Sequence, residues 1–193
     1  DVAWAAGRVC LVAVSSAAVL SLAHSVVHVC RPLAVLVDAF SREDLGSKPL
    51  DKVARDWNVA QSVLRQASAD MEQALLALGA ALLIALPALL PNLAAPSWRL
   101  LPSLLAACGV ARALFVAAAL SERCGRVPAT VNAAQFGAGT NRQRQDTVDY
   151  IASSAPGLYV LDSRLTTSAV VKAVYLWCLA AGSVAAMFAA SAS

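Results

Sequence analysis

Four residues in this chain have side chains able to do chemistry in otherwise apolar surroundings. His24 and His28 lie four apart, with Ser21 and Ser25 beside them, in a run that is apolar from Val9 to Cys30. On a helix, residues four apart share one face. Two histidines so placed begin a metal site, but a site needs more ligands, and Cys30 falls off that face. The pattern fits better as a polar stripe toward neighbouring helices, with the serines adding interhelical hydrogen bonds. No metal or other cofactor is therefore expected. Arg112 is the third residue. It stands near the middle of residues 100–120, with apolar neighbours on both sides. A charge at such a depth in lipid costs about 3 kcal/mol. Arg112 is expected to face a water-filled cavity or a partner group, which makes it a ligand-cavity candidate together with His24 and His28. Asp162 is the fourth. With Tyr159, Arg164 and Lys172 it flanks the entry to the last apolar run, where Asp162 and Arg164 are placed to hydrogen-bond helix ends. No nucleophile and base stand in an arrangement that points to catalysis, so the chain is not expected to be an enzyme.

The elements that position these residues are read from hydropathy. The chain has 193 residues, of which 59% are hydrophobic and 14% charged. Soluble domains average about 25% charged residues. The apolar excess must face something other than water, and a lipid bilayer is the simplest partner. The net charge of +3 gives no footprint for nucleic acid. A spanning helix needs about 20 mainly apolar residues. Four stretches meet this, at residues 9–30, 74–93, 100–120 and 169–190. The expected fold class is all-α, a polytopic transmembrane helix bundle with long helices extending into the cytoplasm. The chain starts at Asp1 and enters an apolar run within a few residues, as expected of a fragment of a longer protein. The five cysteines match no zinc or redox spacing and read as small apolar fillers.

Charge sets the direction. Arg31, Arg42, Lys48, Lys52, Arg55 and Arg65 lie between the first two runs. Arg123, Arg126, Arg142, Arg144, Arg164 and Lys172 lie between the last two, while Arg99 alone separates the middle pair. The side holding both basic loops is expected to be cytoplasmic, with the C-terminus outside. The plasma membrane is the expected location.

Both loops carry helical patterns, at residues 49–73 and 123–168. Leu50, Val53, Trp57, Ala60, Leu64, Ala67 and Met71 recur at spacings of three and four, one apolar stripe on a helix begun at Pro49. That helix is expected to run on from residue 49 to about residue 90. In the second loop, residues 127–134 extend the third span, with Pro128 as a kink. Phe136-Gly137-Ala138-Gly139 is a hinge rather than a nucleotide loop, since no strand precedes it. Thr140-Asn141-Arg142-Gln143 has capping-box form, opening a helix from Asn141 to Ser153 that ends at Ser154-Ala155-Pro156-Gly157.

The segment Gly157-Leu158-Tyr159-Val160-Leu161-Asp162-Ser163-Arg164-Leu165, leading to Lys172-Ala173-Val174-Tyr175-Leu176-Trp177, resembles the C-terminal region of the insect gustatory and odorant receptor superfamily. Gly157, Tyr159, Asp162, Leu165 and Tyr175 follow the order of that region over about 35 residues, with near-family spacing. The resemblance implies spans four to seven of a seven-span ligand-gated cation channel, and a homotetramer in which the last helix of each copy lines the pore. It implies a small-molecule ligand within the outer half of each subunit. Gly157, Tyr159, Asp162 and Leu165 would form the structural entry to the last span. Tyr175, Cys178, Ala181 and Gly182 would lie on the pore-lining helix. Ala181 and Gly182 stand where the family carries a Gln-Phe pair, and Val174 where it carries a threonine. The alternative is a non-conducting polytopic scaffold or transporter subunit, whose Ala- and Gly-rich last span packs closely on other helices.

Overall fold

The computed structural model describes residues 2–42, 49–89, 101–134, 141–154 and 156–192. The fold is all-α. The described residues form five helices, α1 (Val2–Arg42), α2 (Leu50–Leu89), α3 (Leu101–Ala133), α4 (Asn141–Ser153) and α5 (Thr167–Ala192), with a small antiparallel hairpin between α4 and α5. Its strands are β1 (Tyr159–Val160) and β2 (Ser163–Arg164). The expected α2 is present from Leu50, its first turn tied to the Pro49 carbonyl by the amides of Lys52 and Val53. Helix α3 continues through Pro128 to Ala133. The hinge expected at Phe136 to Gly139, and Thr140 of the expected cap, lie outside the described residues.

Helix α1 runs well past Cys30, where the first apolar stretch ends. The cause is a second stripe that the charge of Arg31 masks. Cys30, Leu33, Val37 and Phe40, spaced three and four apart, are all buried, so the helix continues because its extension has a core to enter.

The chain divides into two compact units. Unit 1 comprises residues 1–27, 74–115 and 168–193, and unit 2 comprises residues 28–73 and 116–167. Unit 2 is built like a water-soluble bundle. Val53, Trp57, Ala60, Leu64 and Met71 of α2 are buried, as the stripe requires, and Leu50 and Ala67 are half-buried. Ala117, Leu120, Cys124, Val127 and Val131 of α3, Ile151 of α4 and Leu158 complete this core. The Phe40 and Trp57 rings meet at 5.3 Å, tilted 51°. Burial pushes the Cys124 thiol up to about 11, which keeps it protonated and inert.

Unit 1 is the reverse. Its inner positions are small or aliphatic, among them Ala23, Val26, Leu78, Leu82, Ala106, Val110 and Ala113. At Gly109 an added Cβ would lie 2.6 Å from the Leu20 side chain, so glycine lets α1 and α3 approach closely. Its outer positions are just as apolar. Leu11, Val14, Leu83, Leu101, Tyr175, Leu176 and Met187 are all exposed.

Among the described residues two helices, α1 over Val9–Arg42 and α3, are long and apolar enough to cross a membrane. Only 17% of the most apolar window of α1 is buried, and 39% of that of α3. The core helix of a soluble protein would be mostly buried, and these are not. The second expected span, residues 74–93, ends outside the described residues. The described apolar stretch of α5, Thr167–Ala180, is shorter than a span.

Candidate functional site at the entry to the last helix

Of the residues singled out around Asp162, Tyr159 and Arg164 join it in unit 2 in a strap that leads into α5, while Lys172 lies exposed on α5 in unit 1. Tyr159 pairs with Arg164 and Val160 with Ser163. The two-residue turn between them, Leu161 and Asp162, has positive φ at both positions, 50° and 59°. Paired positive φ is the signature of the type I′ hairpin turn. Leucine is a poor residue there, at a cost of roughly 1–2 kcal/mol, so the turn must be held from outside. The Leu161 amide donates to Glu72 Oε1 at 3.0 Å, and the Tyr159 amide to Ser68 Oγ at 3.0 Å. Ser68 and Glu72 are four apart, so both reach from the same face of α2.

Helix α3 holds the other side. Leu158 is fully buried, and its amide donates to Ser121 Oγ at 2.9 Å. The Leu158 carbonyl accepts from the Leu165 amide at 2.9 Å, closing the base of the strap. Arg164 donates from its guanidinium to the Ser121 carbonyl. Two glycines make room for this arginine. A Cβ on Gly125 would stand 2.6 Å from Arg164 Nη2, and one on Gly157 would stand 3.0 Å from its Nε. Gly157 also has φ +153°, which side-chain-bearing residues rarely adopt.

The first residue of α5 is met by Glu122, whose Oε1 accepts the Thr167 amide at 3.1 Å. A carboxylate suits a helix N-terminus, where unpaired amides and the helix dipole favour negative charge. This corrects the expectation for Asp162, which is exposed at the hairpin turn. Arg164 reaches the Ser121 carbonyl in the middle of α3 rather than a helix end. The Glu122 carboxyl lies below its ordinary value of 4.5, first because of the hydrogen bonds from the Thr167 hydroxyl and amide, and then because of Arg126 and Arg164. A depressed folded value means stability that is complete above 4.5 and fades as pH falls through the folded value. Amide-exchange protection at Thr167 is therefore expected to drop below about pH 4.5. In the Glu122→Gln variant that acid-dependent step should disappear; its persistence would assign the step to another carboxylate.

Gly157, Tyr159, Asp162 and Leu165 thus share one hairpin, with Asp162 at its outer tip. Ser68, Glu72, Ser121 and Glu122 were not legible as site residues. Their one signal is a polar side chain on or beside an otherwise apolar stripe.

His24 and His28 are exposed on α1, and among the described residues no group of three or more His, Cys, Asp or Glu is placed to hold a metal ion. Arg112 is exposed on α3 and makes no hydrogen bond or ion pair with another described residue. Tyr175, Cys178 and Gly182 are exposed on α5; Ala181 is placed by its backbone alone. Trp177 anchors this helix, donating from Nε1 to the Leu82 carbonyl at 2.6 Å. No family model matches the chain, and neither a curated protein nor a solved structure matches it.

Proposed function

We propose that the chain is the four-span part of a polytopic plasma-membrane protein, a receptor-like, ligand-gated cation channel in which α5 is shared between copies. The observation that carries this is the state of α5. Among its described side chains only Val170 is buried, while Tyr175, Leu176, Cys178, Leu179, Gly182 and Met187 are exposed. A helix attached along one edge, with its other faces apolar and bare, needs lipid or further copies to cover it. The division of the chain supports the membrane part of the reading. Unit 1 holds most of the four apolar stretches, with Leu11, Val14, Leu83, Leu101 and Leu176 among their exposed residues, whereas unit 2 holds most of the basic loop residues around an ordinary core. The resemblance around Tyr159 and Tyr175 supports the receptor part. The strap then has a mechanical role, tying the start of α5 to α2 and α3 so that a shift of those helices moves the pore helix.

A second reading rests on Gly182 and Ser183, both exposed on α5. Gly182 is exposed with nothing within 4 Å of the place a Cβ would occupy. Small residues on a bare face suit close helix packing in a non-conducting scaffold or transporter subunit. Recording from the full-length protein in oocytes separates the two. Cysteines placed at Tyr175 and Gly182 should let a charged thiol reagent reduce a cation current. Silence with confirmed surface expression, or a current blind to both cysteines, would leave the scaffold.

A further inference from the structure

Arg112 and His24 stand on one outer groove of unit 1. Gly109 of α3 lies against the Leu20 side chain of α1, with the Ala23 Cβ at 4.0 Å from the place a glycine Cβ would occupy. Both helices leave unit 1 with rising residue number, at Val27 and Phe115, so they run parallel within it. Each helical residue is turned about 100° from the last. His24, four residues past Leu20, and Arg112, three past Gly109, therefore stand at one level and on the same side of this contact. The opposite side is the core side, where Val26 and Val110 are buried, whereas His24 and Arg112 are both exposed. Each lies three residues, less than one helical turn, from the end of unit 1. Further from that end the same groove is lined by Ala13, Ala17, Leu105 and Cys108, all exposed and none charged.

We infer that this groove binds one acidic phospholipid of the cytoplasmic leaflet, with its phosphate on Arg112 and an acyl chain along the apolar lining. The inference rests on the membrane reading. Charge selects the occupant. Arg112 makes no hydrogen bond or ion pair with another described residue, and after Asp1 the sequence of unit 1 contains no acidic residue to neutralise it. A guanidinium presents a planar fork of donors that matches a phosphate and holds it by two bonds at once. His24 adds a ring nitrogen at the same level. Position selects the same occupant. Basic groups between helices at the cytoplasmic end of a membrane bundle bind acidic headgroups. An arginine less than one turn inside that end reaches the headgroup level by extending its side chain along the helix. A lipid fills both halves of the groove, because its charge and its chain are joined at that depth. A free phosphate leaves the apolar half bare, and a zwitterionic lipid brings a cation of its own to Arg112.

The test is native mass spectrometry of the full-length protein released from vesicles of phosphatidylglycerol and phosphatidylcholine in equal parts. The parent should retain phosphatidylglycerol about fivefold over phosphatidylcholine, the factor that one basic residue near an acidic bilayer surface supplies. Arg112→Gln should remove the preference, and Arg112→Lys should keep part of it, since lysine retains the charge and loses the fork. Lys172→Gln should leave the preference unchanged. Lys172 is an exposed cation of unit 1 on α5, so it separates this groove from a general effect of positive charge. Ala17→Phe fills the groove from α1 without touching a charge and should lower the amount of bound lipid; it carries the test if Arg112→Gln does not fold. Equal retention of the two lipids by the parent, a preference that survives Arg112→Gln or falls as far in Lys172→Gln, bound lipid unchanged in Ala17→Phe, or displacement of the lipid by inorganic phosphate would overturn the site. Carbonate extraction of the parent from native membranes separates the two readings. A chain that stays in the membrane but fails these tests loses the lipid site alone, and one that is extracted loses the membrane reading as well.

Discussion

Replacing Trp57 with alanine is expected to cost unit 2 about 3–5 kcal/mol, the range for truncating a fully buried aromatic side chain. Three effects act together. The indole is 0% exposed, so its removal leaves a cavity that the surrounding helices cannot fill without moving. Its ring contact with Phe40 disappears. Its Nε1 also donates to Ser154 Oγ at 3.1 Å, one of the bonds that seat the end of α4 on α2. The other bonds around that end do not replace it. Gln61 Nε2 reaches the Ser154 carbonyl at 2.8 Å, and Tyr150 reaches Asn58, but the Tyr150 pair is exposed to competing water. Denaturant or thermal unfolding in detergent should show the loss, with exchange protection falling first in α4. Arg123→Ala is the contrast. It removes the 2.6 Å ion pair with Asp38, whose partners are 47% and 37% exposed, and should cost no more than about 1 kcal/mol. A Trp57 variant that loses as little as the Arg123 variant would mean that unit 2 is not held by this core.

What could be read in advance follows from how each feature is encoded. The α2 stripe was legible because one element carries its whole signal. Apolar residues three and four apart face inward whatever they meet, and Val53, Trp57, Ala60, Leu64 and Met71 do so. Helix α4 was legible for the same reason, with Ile151 buried and Val148 half-buried. The extension of α1 was legible in principle, since Cys30, Leu33, Val37 and Phe40 have the spacing. Arg31 and Pro32 interrupted the hydropathy run, yet Pro32 is accommodated inside the helix. The strap was not legible. Its strands are two residues each, its turn lacks the Asn-Gly or Asp-Gly usually needed for positive φ, and its stability comes from Ser68, Glu72, Ser121 and Glu122, some forty to ninety residues away in sequence. Arg112 shows the limit on the functional side. Its charge in an apolar run is plain from composition, but no described residue answers it with a hydrogen bond or ion pair.

The strap yields the second large prediction. Ser121→Ala should destabilise it by about 1–3 kcal/mol, the cost of leaving a buried donor unpaired. Ser121 and Leu158 are both 0% exposed, so no water can replace the 2.9 Å bond from the Leu158 amide. The same hydroxyl lies 3.4 Å from the Ala117 carbonyl and 3.5 Å from the Leu158 carbonyl, so one side chain serves both helix α3 and the strap. Ser68→Ala makes the discriminating comparison. It removes a bond of similar length, 3.0 Å from the Tyr159 amide, but this site is less deeply buried than Ser121: Ser68 is 8% exposed and Tyr159 half-buried, so water has partial access. Its cost should be nearer about 0.5–1 kcal/mol, the net value of an ordinary hydrogen bond. Amide exchange reads both. In Ser121→Ala, protection should fall at Leu158, at Leu165, whose amide closes the base, and at Thr167 where α5 begins. In Ser68→Ala the loss should stay at Tyr159 and the hairpin tip. If the two variants behave alike, burial does not set the strength of the strap, and the start of α5 is held by Glu122 alone. If Ser121→Ala loosens Thr167 while Glu122 is intact, the hydroxyl of one buried serine determines how firmly the last helix is coupled to α3.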